Sequence, residues 1–212
     1  MAWGGPDELI LSLDRSDLWY DCPAHQDRRI TAGALILDCG AGNRFEEGLD
    51  LLEAVAYRDL GDRRFEWFVH AEEPLLCLRI LCARRPLRFH WRPPELWGQD
   101  AADAERYVRR LEGKATGRIA NPYAGRASSD CGVKHGMGLM RFAIDGQARV
   151  LVGVRACQAG ATIPIRQKGG GFEIAAKEGG ELLLLVNIWN TDRPSLGRNH
   201  PGKGGQGDFA LN

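Results

Sequence analysis

Trp3-Gly4-Gly5-Pro6-Asp7-Glu8-Leu9-Ile10-Leu11-Ser12-Leu13-Asp14-Arg15-Ser16-Asp17-Leu18-Trp19-Tyr20-Asp21 is the stretch that decides the fold. Leu9, Leu11 and Leu13 alternate with Ile10 and Ser12, the period of two that gives a strand one apolar face. The Asp14-Arg15-Ser16-Asp17 turn that follows carries the aromatic pair Trp19-Tyr20 to the sheet edge. The stretch reads as a strand that delivers Asp17 and Trp19 to a loop.

The same alternation recurs outward from it. Leu35, Ile36 and Leu37 follow Gly33 as a short strand ended by Gly40 and Gly42. Phe65, Trp67 and Val69, then Leu76, Leu78 and Ile80, then Leu87, Phe89 and Trp91 alternate with other residues. Hairpin-length turns at Ala71 to Pro74 and Ala83 to Pro86 separate these runs, which reads as an antiparallel meander. Met140, Phe142 and Ile144 lead to Asp145-Gly146 and return through Ala148, Val150, Val152 and Val154, the strongest hairpin signal in the chain. Phe172, Ile174 and Ala176, a Gly179-Gly180 turn, and Leu182, Leu184, Val186 and Ile188 read as another pair.

Between these runs, Cys22 to Thr31 and Lys114 to Lys134 are polar and read as loops, the second long enough to invite a functional role. Asp100 to Glu112 reads as a helix, with Asp100 as N-cap, Ala104, Tyr107, Val108 and Leu111 on one face and Gly113 as the stop. Glu46 to Leu60 fits two patterns: Leu49, Leu52, Ala56 and Leu60 fall at helical spacing, while Leu51, Glu53, Val55 and Tyr57 alternate as a strand. Residues 1–194 read as one all-β domain, an antiparallel β-sandwich with one short crossover helix, and 195–212 as a Gly-rich flexible tail.

Composition narrows the functional classes. A chain of 212 residues buries roughly 70% of its unfolded surface, enough for one core. Lys and Arg balance Asp and Glu at 28 each, so no chain-wide field draws nucleic acid or an anionic membrane. There is no apolar run of membrane-spanning length, and Met1 opens no basic-then-apolar leader. Localisation stays open: cytoplasmic as the sequence stands, periplasmic or secreted if the native start lies upstream. The six cysteines, Cys22, Cys39, Cys77, Cys82, Cys131 and Cys157, form no C-x-x-C pair and read as small apolar residues. Cys131 and His135 lack two further ligands for zinc, and His25, His70, His90, His135 and His200 share no ligand spacing. Gly169-Gly170-Gly171 is a turn, because no Lys-Ser/Thr helix start follows it to make a phosphate loop. No metal or cofactor is expected.

The opening residues Met1 to Asp21 and the segment Phe45 to Ile80, FEEGLDLLEAVAYRDLGDRRFEWFVHAEEPLLCLRI, carry a resemblance. They resemble the amino-terminal β-sandwich of family 95 and family 65 type glycoside hydrolases, α-L-fucosidase-like proteins and their relatives. There a Gly-rich first strand leads to an L-x-L-x-x-t-D-x-W run. The likeness has recognisable motifs from Met1 to Trp97 and strand rhythm thereafter; the Gly-Asn-Gly part of the first strand is absent. It implies a sandwich of the galactose-mutarotase-like, or super-sandwich, type and favours strands over a helix at Glu46 to Leu60. It also implies a helical-barrel catalytic domain as partner, since the family's catalytic carboxylates lie in such a barrel.

Glycoside hydrolysis needs two carboxyl groups across the scissile bond. Asp14, Asp17 and Asp21 fan outward from one strand and turn, with no partner opposite them, so no catalytic residue is assigned. Sugars also stack on aromatic rings while Asp, Asn and Arg bond their hydroxyls. Among six tryptophans, Trp67 and Trp91 fall in the alternating apolar rows and read as core packing. Trp19 and Trp97 sit at loop positions near Asp17 and Arg92, and Trp189 precedes Asn190-Thr191-Asp192. The expected carbohydrate-binding set is therefore Asp17, Trp19, Trp97 and Arg92. The expectation is a non-catalytic module that helps shape a barrel's substrate pocket; the alternative is a self-sufficient carbohydrate-binding sandwich.

Overall fold

The alternation that starts at Leu9 becomes an inward-facing row: Leu9, Leu11 and Leu13 are each at most 2% exposed and join one continuous core. The computed structural model describes residues 2–15, 18–22, 25–29, 31–40, 42–83, 86–94, 127–144, 146–177 and 179–191. Within them every strand pair is antiparallel.

Six strands form the smaller sheet: β1 (Ala2–Trp3), β2 (Glu8–Ser12), β5 (Ala34–Asp38), β10 (Leu87–Arg92), β16 (Gly171–Ile174) and β15 (Ile165–Lys168), in that spatial order. The larger sheet runs β11 (Ala127–Lys134), β12 (Met137–Ile144), β13 (Gln147–Gln158), β17 (Gly180–Asn190), β9 (Leu75–Ala83), β8 (Arg64–Val69), β7 (Val55–Asp59) and β6 (Glu46–Asp50). A short β14 (Ala161–Ile163) pairs with β13, and β3 (Trp19–Cys22) with β4 (His25–Arg29) makes a separate ribbon. Inner faces meet in one core, where Phe65, Leu78, Met140, Val152 and Leu184 of the large sheet join Leu35, Leu37 and Ile174 of the small one. Phe89 and Phe172 stack at 5.0 Å with their rings 20° apart, locking β10 to β16. The sandwich is therefore built by period-two burial from both layers.

Four departures from the sequence reading have identifiable causes. Cys22 to Thr31 is not all loop: β3 and β4 pair through their backbones, which needs no apolar alternation. The polar stretch to Lys134 ends in the edge strand β11, paired along its whole length with β12. The run Arg64 to Arg92 is not one meander. β8 and β9 pair, but β10 crosses to the small sheet and pairs with β5 and β16. Likewise β16 and β17 belong to different sheets, β17 lying between β13 and β9. In a sandwich consecutive strands switch layers, and local alternation does not record which layer a strand joins. Glu46 to Leu60 forms the β6–β7 hairpin, as the family resemblance implied. The expected helix at 100–112 and the tail at 195–212 lie outside the described residues.

Arg58 ties the two layers together at one edge. Its side chain is fully buried. Nε and Nη2 donate to Glu47 Oε1, and Nη1 donates to the carbonyl oxygens of Gly5 at 3.0 Å and Glu8 at 2.6 Å. The Phe45 ring lies 5.1 Å from the guanidinium carbon. Burial pushes the neighbouring Cys39 thiol up to about 11, against the opposing pull of Arg58 and Arg63. Removing one member of such a cluster leaves buried polar groups without partners. Arg58→Ala is expected to lower the unfolding free energy by about 3 kcal/mol or more. Arg58→Lys should restore only part of it, because an ammonium lacks the planar fork; urea denaturation of the three proteins measures both.

Two-residue turns close the hairpins. His135-Gly136, Ala159-Gly160 and Gly169-Gly170 have positive φ at both positions and join strands in register, the type I′ geometry that matches strand twist. Ala159, at φ 51°, holds a Cβ where only glycine is unstrained. Ala159→Gly is expected to stabilise the chain by about 0.5–1 kcal/mol and Gly160→Ala to destabilise it by about 1 kcal/mol. Equal denaturation midpoints for all three proteins would contradict this.

Candidate functional site

The outer face of the small sheet carries three cross-strand rungs. The first is Glu8–Asp38–Arg88–Glu173–Arg166, the second Ile10–Ile36–His90 and the third Ser12–Ala34–Arg92. Period two puts these side chains opposite the core. Ile10, Ala34 and Ile36 nevertheless form a second buried cluster, at 8%, 4% and 6% exposure. The face is thus an apolar strip bordered by charged groups.

A groove of about 690 Å³ opens on this face, within the range of about 300–1,000 Å³ usual for small-molecule sites. One side is Asp7, Glu8 and Asp38; the other is Arg88, Lys168 and the Gly169–Gly171 turn; Ile36 and His90 belong to the neighbouring rung. Arg88 Nε donates to Glu173 Oε2 at 3.0 Å, and Lys168 Nζ donates to both Glu173 oxygens at 3.2 and 2.9 Å. Hydrogen bonds from Lys168 and Arg88 hold the Glu173 carboxyl below the ordinary glutamate range. Asp38 Oδ1 accepts the Gly40 N–H at 3.0 Å. A Cβ on Gly171 would stand 2.8 Å from the Phe89 carbonyl oxygen, so glycine lets the turn lie against β10.

Of the four expected carbohydrate-binding residues, the structure places one on this face. Arg92 is exposed, one rung beyond His90. Trp19 lies in β3 rather than in a loop. Asp17 and Trp97 lie outside the described residues. Trp67 and Trp91 are partly buried against the core, as their alternation implied, and Trp91 Nε1 donates to the Ala32 carbonyl at 2.9 Å. The groove's residues come from four separated segments that no local pattern joins; Arg88, His90 and Arg92 are exposed.

A smaller cavity of about 200 Å³ lies at the end of the sandwich, where Leu11, Leu13, Trp67, Val69, Leu76 and Ile188 face one another. Arg15 Nη1 donates to the Ile188 carbonyl at 2.6 Å, closing part of its rim. Among the described residues no group of three or more His, Cys, Asp or Glu is arranged to hold a metal ion.

The outer face of the large sheet is different in kind. Phe68, Cys77, Leu185 and Arg155 form one rung, and Leu75, Asn187, Gly153 and Leu139 the next. Trp189 is 40% exposed. A Cβ on Gly153 would stand 2.6 Å from a Trp189 ring carbon, so the indole lies over that glycine. Between Leu75 and Gly153, the Asn187 Oδ1 is buried and has no hydrogen-bond partner among the described residues. Beside this apolar field, Glu66 accepts from Arg64 Nε at 2.8 Å and Arg79 Nε at 2.8 Å, and the Arg64 guanidinium carbon lies 4.2 Å from the Tyr57 ring centroid.

No model of a known protein family matches this chain, and no curated protein matches it in sequence.

Glu66 gives the face a measurable pH signature. Burial pushes its pKa up, but hydrogen bonds from Arg79 and Arg64 outweigh that and hold the carboxyl below the ordinary value. A depressed carboxylate stabilises the fold above its unfolded pKa of about 4.3, and that contribution is lost as pH falls through the lower folded value. Glu66→Gln is therefore expected to be less stable than the unmodified chain near neutral pH, with the gap closing in acid. A gap that stays constant from neutral to acid pH in urea melts would refute the assignment.

Proposed function

We propose that this chain is a non-catalytic β-sandwich module of a carbohydrate-active protein of the glycoside hydrolase type, which packs its large-sheet face against a helical-barrel catalytic domain. The observation that carries the reading is the outer face of that sheet. Half-buried Phe68, Leu75, Leu151, Leu183 and Leu185, with Trp189, make a continuous apolar field across four strands. Antiparallel sheets that face water carry polar residues on that side. Exposed apolar fields of this kind mark surfaces that another body covers. Hydrolytic carboxylates then belong to the barrel, and the sandwich contributes shape.

The test uses the chain by itself and together with a helical-barrel catalytic domain of the glycoside hydrolase type (the helical region). The chain alone should leave aryl fucosides, galactosides and glucosides intact, and it should form a stable complex with the helical region. Leu185→Asp, on the outer face and away from the core, should weaken that complex at least tenfold while leaving the thermal transition of the sandwich in place. Hydrolysis by the chain alone, or a complex indifferent to Leu185→Asp, would sink the reading.

A further inference from the structure

Among the described residues the two layers end in four strands, β1 and β15 in the small sheet and β11 and β6 in the large one. A sheet edge presents a row of backbone N–H and C=O groups that can template another strand, and chains blunt such edges by shortness or by charge. β1 has two residues, and β15 has four with Arg166 and Lys168 as its charges. β6 reads Glu46-Glu47-Gly48-Leu49-Asp50, so a second copy laid along it sets acid against acid. β11 has neither guard. It runs eight residues from Ala127 to Lys134, pairs with β12 without a bulge, contains no proline and carries one charge of each sign, Asp130 and Lys134.

The hairpin turn fixes which backbone groups face outward. Lys134 and Met137 flank His135-Gly136 as register partners, and in a two-residue hairpin that pair exchanges both its hydrogen bonds. Alternation then turns the N–H and C=O of Lys134, Gly132 and Asp130 toward β12, and those of Val133, Cys131 and Ser129 toward the open edge. The Cys131 carbonyl accordingly accepts from Gln167 Nε2 of β15 at 3.4 Å, a long bond that a strand's backbone donor can replace. In a pair of copies related by a two-fold axis, outward groups must meet outward groups, which leaves few registers. Centring the axis on Gly132 sets Cys131 against Val133 of the second copy as the hydrogen-bonded pair. It also sets Asp130 against Lys134 of the second copy at a non-hydrogen-bonded position, where Cα atoms stand about 4.5 Å apart. Symmetry makes each contact twice. Centring it on Asp130 brings that carboxylate against its own copy, and centring it on Cys131 leaves neither charge opposite the other. Asp130 is exposed and also faces Arg141 of its own chain at 3.5 Å. Val133, 37% exposed, is covered by the paired strand.

We propose that β11 is a self-association edge, to which a second copy of this chain adds its own β11 antiparallel with Asp130 opposite Lys134. The contact is small, so the dimer is transient. It does not rest on the barrel-docking reading, which concerns the outer face of the sheet. A chain that dimerises without binding a barrel, and one that binds a barrel without dimerising, are separate results.

Sedimentation velocity of the full chain, from about 2 μM to about 500 μM, is expected to show a monomer–dimer equilibrium with a Kd of roughly 5–200 μM. Asp130→Lys and Lys134→Asp each set like charges opposite one another and should weaken the dimer by about tenfold or more. The double variant exchanges the signs, restores both bridges and should return to within about threefold of the unmodified chain. Val133→Pro removes an N–H that faces the open edge and spares the ladder to β12, so it should abolish the dimer and keep the thermal transition. Glu53→Lys, exposed between β6 and β7, makes the same charge change as Asp130→Lys away from this edge and should leave the Kd unchanged. Should Val133→Pro not fold, the charge reversals decide the matter by themselves. The proposal is overturned if the chain stays monomeric at about 500 μM, if the single reversals leave the Kd unchanged, or if the double variant dimerises no better than either single one.

Discussion

The buried guanidinium of Arg58 is the interaction on which the rest of this structure leans. It stands on β7 in the large sheet, yet two of its hydrogen bonds end on Gly5 and Glu8 at the edge of the small one. Desolvating a guanidinium is costly unless all its donors are used. Here the carboxylate of Glu47 and two carbonyls accept four hydrogen bonds from it, and the chain before β2 is held to the opposite layer as a result. A second tie lies close by. The Cys39 N–H donates to the Asp7 carbonyl at 2.8 Å, and Arg63 Nη1 donates to the Cys39 carbonyl. Together these bonds fix the backbone on which Asp7, Glu8 and Asp38 are mounted. The acidic wall of the groove is thus positioned by contacts inside the sandwich, not by contacts among the acids themselves.

That wall also carries a local conflict. Glu8 and Asp38 face each other as register partners, and like charges directly opposite on a sheet are destabilising. Arg88 is the next residue along the rung, but its Nε is bonded to Glu173. A sequence selected for stability alone would have no reason to keep this arrangement on a sheet face. Local conflicts that persist in an otherwise consistent fold tend to sit where the chain does something. On the large sheet the corresponding conflict is an apolar field with an Asn187 acceptor that has no partner among the described residues, which is the opposite kind of mismatch with water.

How far the sequence could be read follows from the same physics. Alternation located the buried rows at Leu9 to Leu13, Phe65 to Trp67, Leu76 to Ile80 and Leu182 to Ile188, because one face of each strand meets a single core. Asp145-Gly146 located the β12–β13 hairpin, because that turn demands residues that tolerate positive φ. The His135-Gly136 and Ala159-Gly160 turns use first residues that rarely adopt that geometry, and the strands they bound, β11 and β14, were not evident in advance. Layer assignment was not legible either. Leu87, Phe89 and Trp91 alternate just as Leu76, Leu78 and Ile80 do, but pair in the other sheet. Arg92 was singled out from its neighbours and lies on the same sheet face, outside the groove; the groove residues themselves carried no local signal, because nothing local assembles them.

That assembly has a consequence for how binding and folding are coupled. The groove draws on Asp7–Glu8, Ile36–Asp38, Arg88–His90 and Lys168–Gly170, segments far apart in the chain that meet because β2, β5, β10 and β16 are neighbours. The spacing between Arg88 and the Gly169–Gly171 turn is held beneath the surface by the stacked Phe89 and Phe172 rings, which hold β10 against β16. A ligand that spans the walls therefore binds only the state in which the core is formed, and by mass action it must stabilise that state. Loosening the Phe89–Phe172 contact would weaken both the fold and the groove, whereas changing an exposed groove side chain would affect recognition with little effect on the core. The separation holds for the charged side chains because period-two alternation puts Leu9, Leu37 and Phe89 on the core face and Glu8, Asp38 and Arg88 on the other, where only Ile10, Ala34 and Ile36 are also buried among the described residues of those strands.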